Sequence, residues 1–148
     1  MNEQNRLRIE RLAARYEERM RVKAPPDEEE FLASFTNIRK TILRPALQEV
    51  ANELKRAGHL PTLVESADLP NPFIELTLGL TKAPAARNAV GFAVIRWVGY
   101  PLQILAYLEV NPPRFDLTRF ARPEDIRPDQ VEQLLVDAVE HIVMCNAP

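Results

Sequence analysis

His141 and Cys145 are the residues of this sequence whose types and spacing come nearest to nucleophilic catalysis. They are four positions apart, so on a helix their side chains can touch, and a thiol nucleophile needs a base beside it. A helix C-terminus carries partial negative charge, which disfavours the thiolate form. Cys145 also falls on an apolar helical stripe, where a cysteine usually packs as a small hydrophobic residue. We therefore predict a packing role for Cys145 and assign no catalytic residue.

The sequence also lacks the patterns that bind metals and phosphates. Zinc sites rely on paired ligands at short, fixed spacing, and only His141 and Cys145 have such a spacing here. The four glycines occur singly and form neither a GxGxxG motif nor a Walker sequence. His59 follows Gly58 at a predicted helix end, where we expect it to bond a free carbonyl. These absences disfavour an enzyme, and we expect neither a metal nor a cofactor.

The composition is that of an ordinary globular domain. The 148 residues are 46% hydrophobic and 27% charged, and a chain of this size buries roughly two-thirds of its unfolded surface without a disulfide. The single cysteine fits a reducing compartment. The first residues, MNEQNRLR, carry no apolar leader, and no run approaches the ~18 apolar residues that span a bilayer. We therefore expect a cytoplasmic protein.

Charge is distributed unevenly along the chain. Residues 1–23 hold seven basic side chains and four glutamates, a balance of +3, whereas residues 123–148 hold six acids and one arginine, a balance of −5. A basic N-terminal helix is one feature of nucleic-acid-binding arms. The sequence pI near 5.8 and the lack of a basic-aromatic stripe disfavour that function. The alternative is that the two ends attract each other, within one chain or across a dimer.

An amphipathic helix is predicted over residues 5–22. Its apolar residues recur at helical spacing on one narrow stripe, and the rest of its surface is mostly Arg and Glu. The stripe consists of Ile9, Leu12, Tyr16 and Met20. A helix this polar is marginal in water unless its stripe is docked on the domain or on another subunit. We therefore interpret residues 1–24 as an arm or docking element, with partner contacts at Leu12, Tyr16 and Met20.

Residues 25–148 are predicted to form a single α+β domain. Its order is a second N-terminal helix, an antiparallel meander of about five strands, and a C-terminal helix that starts near Pro128. The second helix continues past Pro45 as one kinked helix or two abutting ones, and ends at a left-handed Gly58. Glu75 lies in an alternating segment that is typical of a half-buried strand. The strands are predicted at residues 62–66, 74–80, 90–98, 102–110 and 114–119, the last at an edge.

The third and fourth predicted strands are apolar on both faces, as in central strands that are covered on two sides. They encode more apolar surface than two flanking helices of the same chain would hide, so we expect another molecule to cover the remainder. The turn between them is a two-residue type II′ loop that begins with Gly99, or a three-residue loop that avoids the missing N–H of Pro101. The two loops place opposite faces of the fourth strand beside Trp97.

Three residues at this turn belong to the types that dominate interface energetics. They are Arg96, Trp97 and Tyr100. We predict them as partner contacts, with packing of the aromatic rings on their own sheet edge as the alternative.

Residues 42–59, ILRPALQEVANELKRAGH, resemble the opening helix of a group of small bacterial proteins of unknown function. In that group a helix with an internal Arg-Pro-Ala is followed by Gly-His, then strands, then an amphipathic C-terminal helix. The resemblance extends over residues 31–144 and implies one intact domain without an activity that can be carried over. This sequence departs from the group in its longer basic N-terminal helix and its two longer apolar strands.

These features together predict a non-enzymatic, protein-binding domain of adaptor or chaperone type that forms a homodimer. The alternative is a binder of a small hydrophobic ligand, or an enzyme, with a pocket between the sheet and the long helix. An enclosed cavity with His59 or Arg96 pointing into it would favour that alternative. A third interpretation is nucleic-acid binding through the basic N-terminal helix.

Overall fold

The computed structural model describes residues 1–21, 26–68, 71–82, 86–110 and 113–147, with the backbone alone for residues 17–21, 26 and 27. It is an α+β fold with a five-stranded antiparallel sheet, as the sequence predicts. The helical elements are α1 (Glu3–Arg21), α2 (Pro26–Ile38), a π-helical turn (Arg39–Leu43), α3 (Arg44–Arg56), a 3-10 turn (Pro123–Asp125) and α4 (Pro128–Asn146). The strands are β1 (Thr62–Ser66), β2 (Phe73–Thr77), β3 (Asn88–Ile95), β4 (Gln103–Val110) and β5 (Arg114–Phe120). No helix in the described parts of the chain is both long enough and apolar enough to cross a bilayer.

The predicted continuation of the helix past Pro45 is confirmed, and the π-helical turn explains how the chain achieves it. Proline has no N–H, and its ring crowds the carbonyl one turn earlier. The helix widens just before this position, so that the Arg44 N–H donates to the carbonyl of Arg39, five residues back. This turn carries the buried Arg39 guanidinium toward β1, where it donates to the carbonyl of Ser66 at 2.7 Å.

The end of α3 is the left-handed glycine that the sequence predicts. Gly58 has φ +93°, and the N–H of His59 donates to the carbonyl of Leu54 at 3.0 Å. The expectation that the His59 ring bonds a free carbonyl is wrong. Its Nδ1 instead accepts the backbone N–H of Thr81 at 3.3 Å, which ties the helix end to the chain that follows β2.

The sheet is a simple meander in the order β1-β2-β3-β4-β5, with β1 and β5 at its edges. Strand β2 ends at Thr77, earlier than predicted, because Gly79 adopts φ +62° and its carbonyl accepts the N–H of Leu60. The pairing sets Glu75 opposite Gly91, and Gly91 opposite Tyr107, so these three residues form one row across three strands.

The β3–β4 connection is longer than either predicted loop. Ile95 and Gln103 form the last strand pair, so residues 96–102 make the turn. Within it the N–H of Tyr100 donates to the carbonyl of Trp97 at 3.0 Å, and Gly99 takes φ +82°. The register is nevertheless that of the predicted three-residue loop, because continuing the ladder beyond Ile95 and Gln103 would set Trp97 opposite Pro101. The two-residue alternative is wrong, and the ladder stops two pairs before the turn that the three-residue loop predicts.

The core lies between one face of the sheet, called here the inner face, and the helices. Alternate side chains of β2, β3 and β4 are buried there: Ile74, Leu76, Val90, Phe92, Val94, Ile104, Ala106, Leu108 and Val110. The helices contribute Phe35, Leu43, Leu47, Ala51, Leu54, Val131, Leu135, Ala138 and Ile142. The core therefore closes within one chain on this side.

The expectation that a second molecule must cover the other face of β3 and β4 is wrong. Both strands are almost entirely buried within one chain. The outer-facing residues of β3 include Ala89, Gly91 and Ala93, which are small and present little apolar area. The ring of Tyr107 from β4 extends over Gly91 and covers part of this face. The sheet alone therefore gives no argument for a dimer.

Candidate functional site

The outer face of the sheet carries a connected set of charged and aromatic side chains, called here the outer-face network: Glu75, Arg87, Tyr107, Glu109 and Arg114. The Tyr107 hydroxyl donates to Glu75 Oε1 at 2.8 Å, and Arg87 donates to Glu75 Oε2 at 2.6 Å. Arg87 also pairs with Glu109, and the Arg114 guanidinium lies 3.7 Å above the Tyr107 ring centroid. Both oxygens of the buried Glu75 carboxylate are therefore bonded.

The network is held in place by the strand register and by a single glycine, Gly91. Glu75, Gly91 and Tyr107 lie in one row, and a Cβ added at Gly91 would lie 2.6 Å from the Tyr107 hydroxyl. Only glycine lets the ring cross the middle strand and reach Glu75 on the strand beyond it. The alternating pattern of β2 predicts that Glu75 lies on the face away from the core, and this is confirmed, but its side chain is buried there instead of exposed. Gly91 within an apolar strand is the signal that could have revealed the close approach.

The electrostatics of the network favour a structural role over catalysis. Burial, and then the Glu75 charge, raise the pKa of the Tyr107 hydroxyl well above its ordinary value. The two carboxylates raise the pKa of Arg87 further. A phenol that holds its proton so firmly and donates it to a carboxylate is not a general base near neutral pH. The network therefore seals the outer face with paired charges.

A second polar cluster fastens the π-helical turn to β1. Arg44 binds both carboxylate oxygens of Glu65, with Nε at 2.7 Å, and the Nε of Arg39 lies 3.8 Å from the same carboxylate. The hydrogen bonds from Arg44 lower the pKa of Glu65 below its usual value. The cluster holds the start of α3 in place, and α3 is one wall of the groove described below.

The predicted partner contacts at the β3–β4 turn lie close to one another but are already engaged with this chain. Arg96 pairs with Glu28 on α2. Trp97 and Tyr100 meet edge to face with ring centroids 6.4 Å apart, and the Arg119 guanidinium lies 4.6 Å above the Trp97 ring. Both rings remain about half exposed. The structure does not test whether a partner contacts them, and this role stays a prediction.

The predicted stripe on α1 is uncovered. Every residue from 1 to 16 is exposed, and the apolar side chains keep large exposed fractions: Ile9 53%, Leu12 39% and Tyr16 45%. Met20 lies in the predicted stripe, but its side chain is outside the described part of the structure. A Cβ added at Gly99 would lie 3.7 Å from the Cβ of Arg15, so α1 runs beside the β3–β4 turn. The structure thereby brings the two predicted contact regions together.

The pair that came nearest to catalytic chemistry does form a contact. Cys145 Sγ lies 3.6 Å from His141 Nε2. The predicted packing role for Cys145 is wrong, because its side chain is exposed at the last turn of α4, beyond the core. Among the described residues no group of three His, Cys, Asp or Glu side chains is placed to hold a metal ion.

A long apolar groove runs between α3 and α4 on the side away from the sheet. Its volume is about 710 Å³. Its apolar lining comes from Ile42, Pro45, Ala46, Val50, Leu54, Leu135, Val136, Val139 and Val143. Val136 and Val143 are 51% and 41% exposed, so the floor is open to solvent. The groove is not predicted from the sequence, because exposed valines beside the buried face of a helix give no signal of a neighbouring helix.

Carboxylates line both sides of this groove. Glu49 and Glu53 project from α3, and Glu132 and Glu140 project from α4. Among the residues that the structure describes, no lysine, arginine or histidine lines it. The groove therefore combines an apolar floor with an acidic rim, and we call it the α3–α4 groove.

A second depression lies between α4 and the edge strand β5. Its volume is about 1080 Å³, and Phe115, Leu117, Leu134 and His141 are among its lining residues. Neither this depression nor the α3–α4 groove is enclosed, and neither is lined by His59 or Arg96. Neither of these two sites is therefore the enclosed cavity that would favour a small-ligand binder.

The comparisons with known proteins give no relative: no protein-family model, curated protein or solved structure matches this chain. The geometry of the described surfaces is therefore what bears on function.

Proposed function

We propose that this chain is a cytoplasmic, non-enzymatic protein-binding domain that works as a homodimer. The observation that carries the proposal is the α3–α4 groove, with its apolar floor and its four rim glutamates. Grooves of this form receive the apolar face of an amphipathic helix, which supplies side chains at every third or fourth position. The groove, unlike the sheet, is a large apolar surface that the described chain leaves uncovered.

The exposed stripe of α1 supports the same proposal. Three large side chains, Ile9, Leu12 and Tyr16, lie on one face of a polar helix without being buried by their own chain. Fully burying such a side chain contributes about 1.5–3 kcal/mol, and these are roughly half exposed. A polar helix of this length is marginal without a docking surface, so binding would stabilise it.

The absence of catalytic geometry in the described residues points the same way. Buried Glu75 and Tyr107 are bonded to each other in the outer-face network, and buried Arg39 donates to the Ser66 carbonyl. His141 and Cys145 lie in the open at a helix end. The single cysteine fits the reducing environment that the proposed location implies.

Light scattering coupled to size exclusion tests the proposal on the full chain. We expect a mass of twice the 16.9 kDa chain. A glutamate at Val136 places a charge on the apolar floor, so Val136→Glu should weaken the dimer at least about tenfold, which corresponds to ~1.4 kcal/mol. Met144→Glu is the matched control, since Met144 is 70% exposed on the same helix and does not line the groove.

A wild-type chain that remains monomeric at every concentration up to its solubility limit would contradict the proposal. So would a dimer that Val136→Glu and Met144→Glu leave equally intact, because the groove would then not be the binding surface. Circular dichroism of each variant must match that of the wild type for the comparison to count.

A further inference from the structure

From the charge and shape of two described surfaces, we infer that the α3–α4 groove of one chain receives α1 of a second copy, and that the exchange is reciprocal. This inference rests on the proposed function and names the occupant of the groove. It assigns Arg8 and Arg15 of one copy to the rim glutamates Glu132 and Glu140 of the other.

The charges of the two surfaces are complementary. Residues 1–23 have a balance of +3, whereas the described lining of the groove contains four glutamates and no basic residue. The stripe also has a basic side. At about 100° per residue, Arg8 and Arg15 lie on the same side of the stripe, about 75–95° from the mean direction of Ile9, Leu12 and Tyr16. Arg11 lies about 130° from that centre and would face solvent in the docked helix.

The dimensions of the two surfaces also agree. Helices α1 and α4 both contain 19 residues, which corresponds to a length of about 28 Å each. Arg8 and Arg15 are seven positions apart, and Glu132 and Glu140 are eight apart, so each pair spans roughly two helical turns. Two arginines on one helix can therefore meet two glutamates on the other at the same time.

A second copy is favoured over an unrelated partner because each chain carries both halves of the contact. If each copy inserts its helix into the groove of the other, both grooves are filled and the assembly closes as a two-fold dimer. In the described structure α1 lies beside the β3–β4 turn, all of residues 1–16 are exposed, and none of these sixteen residues lines the groove. The groove is thus open to a helix from outside.

A charge-swap experiment with two full-length variants tests the inference. Variant A carries Arg8→Glu and Arg15→Glu, and variant B carries Glu132→Lys and Glu140→Lys. Each variant alone sets like charges against each other at both contacts, so we expect its dimer to be at least about tenfold weaker than that of the wild type. In an equimolar mixture the acidic helix of A meets the basic rim of B, and the basic helix of B meets the acidic rim of A.

The mixture should therefore restore a heterodimer with an affinity close to that of the wild type. Sedimentation velocity with a fluorescent label on one variant measures this recovery directly. Arg11→Glu combined with Arg122→Glu is the matched control for variant A, since it makes the same change in net charge at exposed positions off the stripe. That control should dimerise as the wild type does. The wild-type dimer should also weaken several-fold as salt is raised, which requires no substitution.

The outcomes separate the inference from the proposed function. Failure of the mixture to recover, or full dimerisation of variant A alone, would overturn the assignment of α1 as occupant. If Val136→Glu still disrupted the dimer in that case, the groove would remain the binding surface and the proposed function would stand. A monomeric wild type would overturn both.

Discussion

Replacing Gly91 with alanine tests whether the Tyr107 ring is held across the sheet as described. The added Cβ would lie 2.6 Å from the Tyr107 hydroxyl oxygen and 2.7 Å from the ring carbon that bears it. It would also lie 2.9 Å from the backbone carbonyl oxygen of Ile74. The buried ring has to move away, and the paired strand limits how far the glycine backbone can retreat.

The expected cost follows from two effects. Extra volume in a packed site costs about 1–3 kcal/mol. Displacing the ring also breaks the hydrogen bond from Tyr107 to the Glu75 carboxylate, and bonds to charged groups contribute about 1.5–3 kcal/mol. We therefore expect Gly91→Ala to lower the free energy of unfolding by about 3–5 kcal/mol, a large part of the total for a domain of this size.

Urea unfolding followed by far-UV circular dichroism measures this loss. Gly58→Ala is the control, because Gly58 has φ +93° and no atom lies within 4 Å of an added Cβ. This substitution therefore measures backbone strain alone, about 1–2 kcal/mol. Tyr107→Phe removes the same hydrogen bond as Gly91→Ala, so the double variant should lose less than the sum of the two. A Gly91→Ala protein within about 1 kcal/mol of the wild type would refute the proposed packing of the ring.

Two further substitutions test the polar contacts that fix the helices. Arg44 lowers the folded-state pKa of Glu65, so the wild type should be more stable than Glu65→Gln at pH 7. Unfolding measured over a range of pH should show this difference disappearing as the pH falls below 4.5, the ordinary pKa of a glutamate. The pair is partly exposed, so the difference should not exceed about 1 kcal/mol; a constant difference down to pH 2 would contradict the assignment. Asn146→Ala leaves the buried Asn88 without its 3.0 Å contact and should cost about 1–3 kcal/mol by calorimetry, whereas an unchanged melting temperature would show that the contact is unimportant.

The elements of the fold could be predicted because each depends on a local pattern. The spacing of Ile9, Leu12 and Tyr16 predicts α1, and the alternation in residues 74–80 predicts most of β2. Gly58 ends α3 because glycine readily adopts the left-handed conformation that stops a helix, so the residue type alone gives the signal. Each of these signals lies within a few positions along the chain.

The candidate sites could not be predicted because they depend on which segments meet in space. Glu75 is buried only because Tyr107, 32 positions later, reaches it across Gly91. Alternation within β2 contains no information about that crossing. The α3–α4 groove likewise forms between helices that the whole sheet separates in sequence, so Val136 cannot be distinguished from an ordinary exposed valine until the helices are placed side by side.

The outer-face network also determines where a partner can gain binding energy. A partner on that face would have to desolvate Arg87, which is half exposed and already paired with two carboxylates, and further burial of such pairs often gains nothing. On the α3–α4 groove the exposed valines gain from burial, while the rim glutamates remain at an edge that water reaches. Charges in that position orient an incoming basic helix without a large desolvation penalty. In the proposed dimer, therefore, the apolar floor would set the affinity of the contact and the rim would set its specificity.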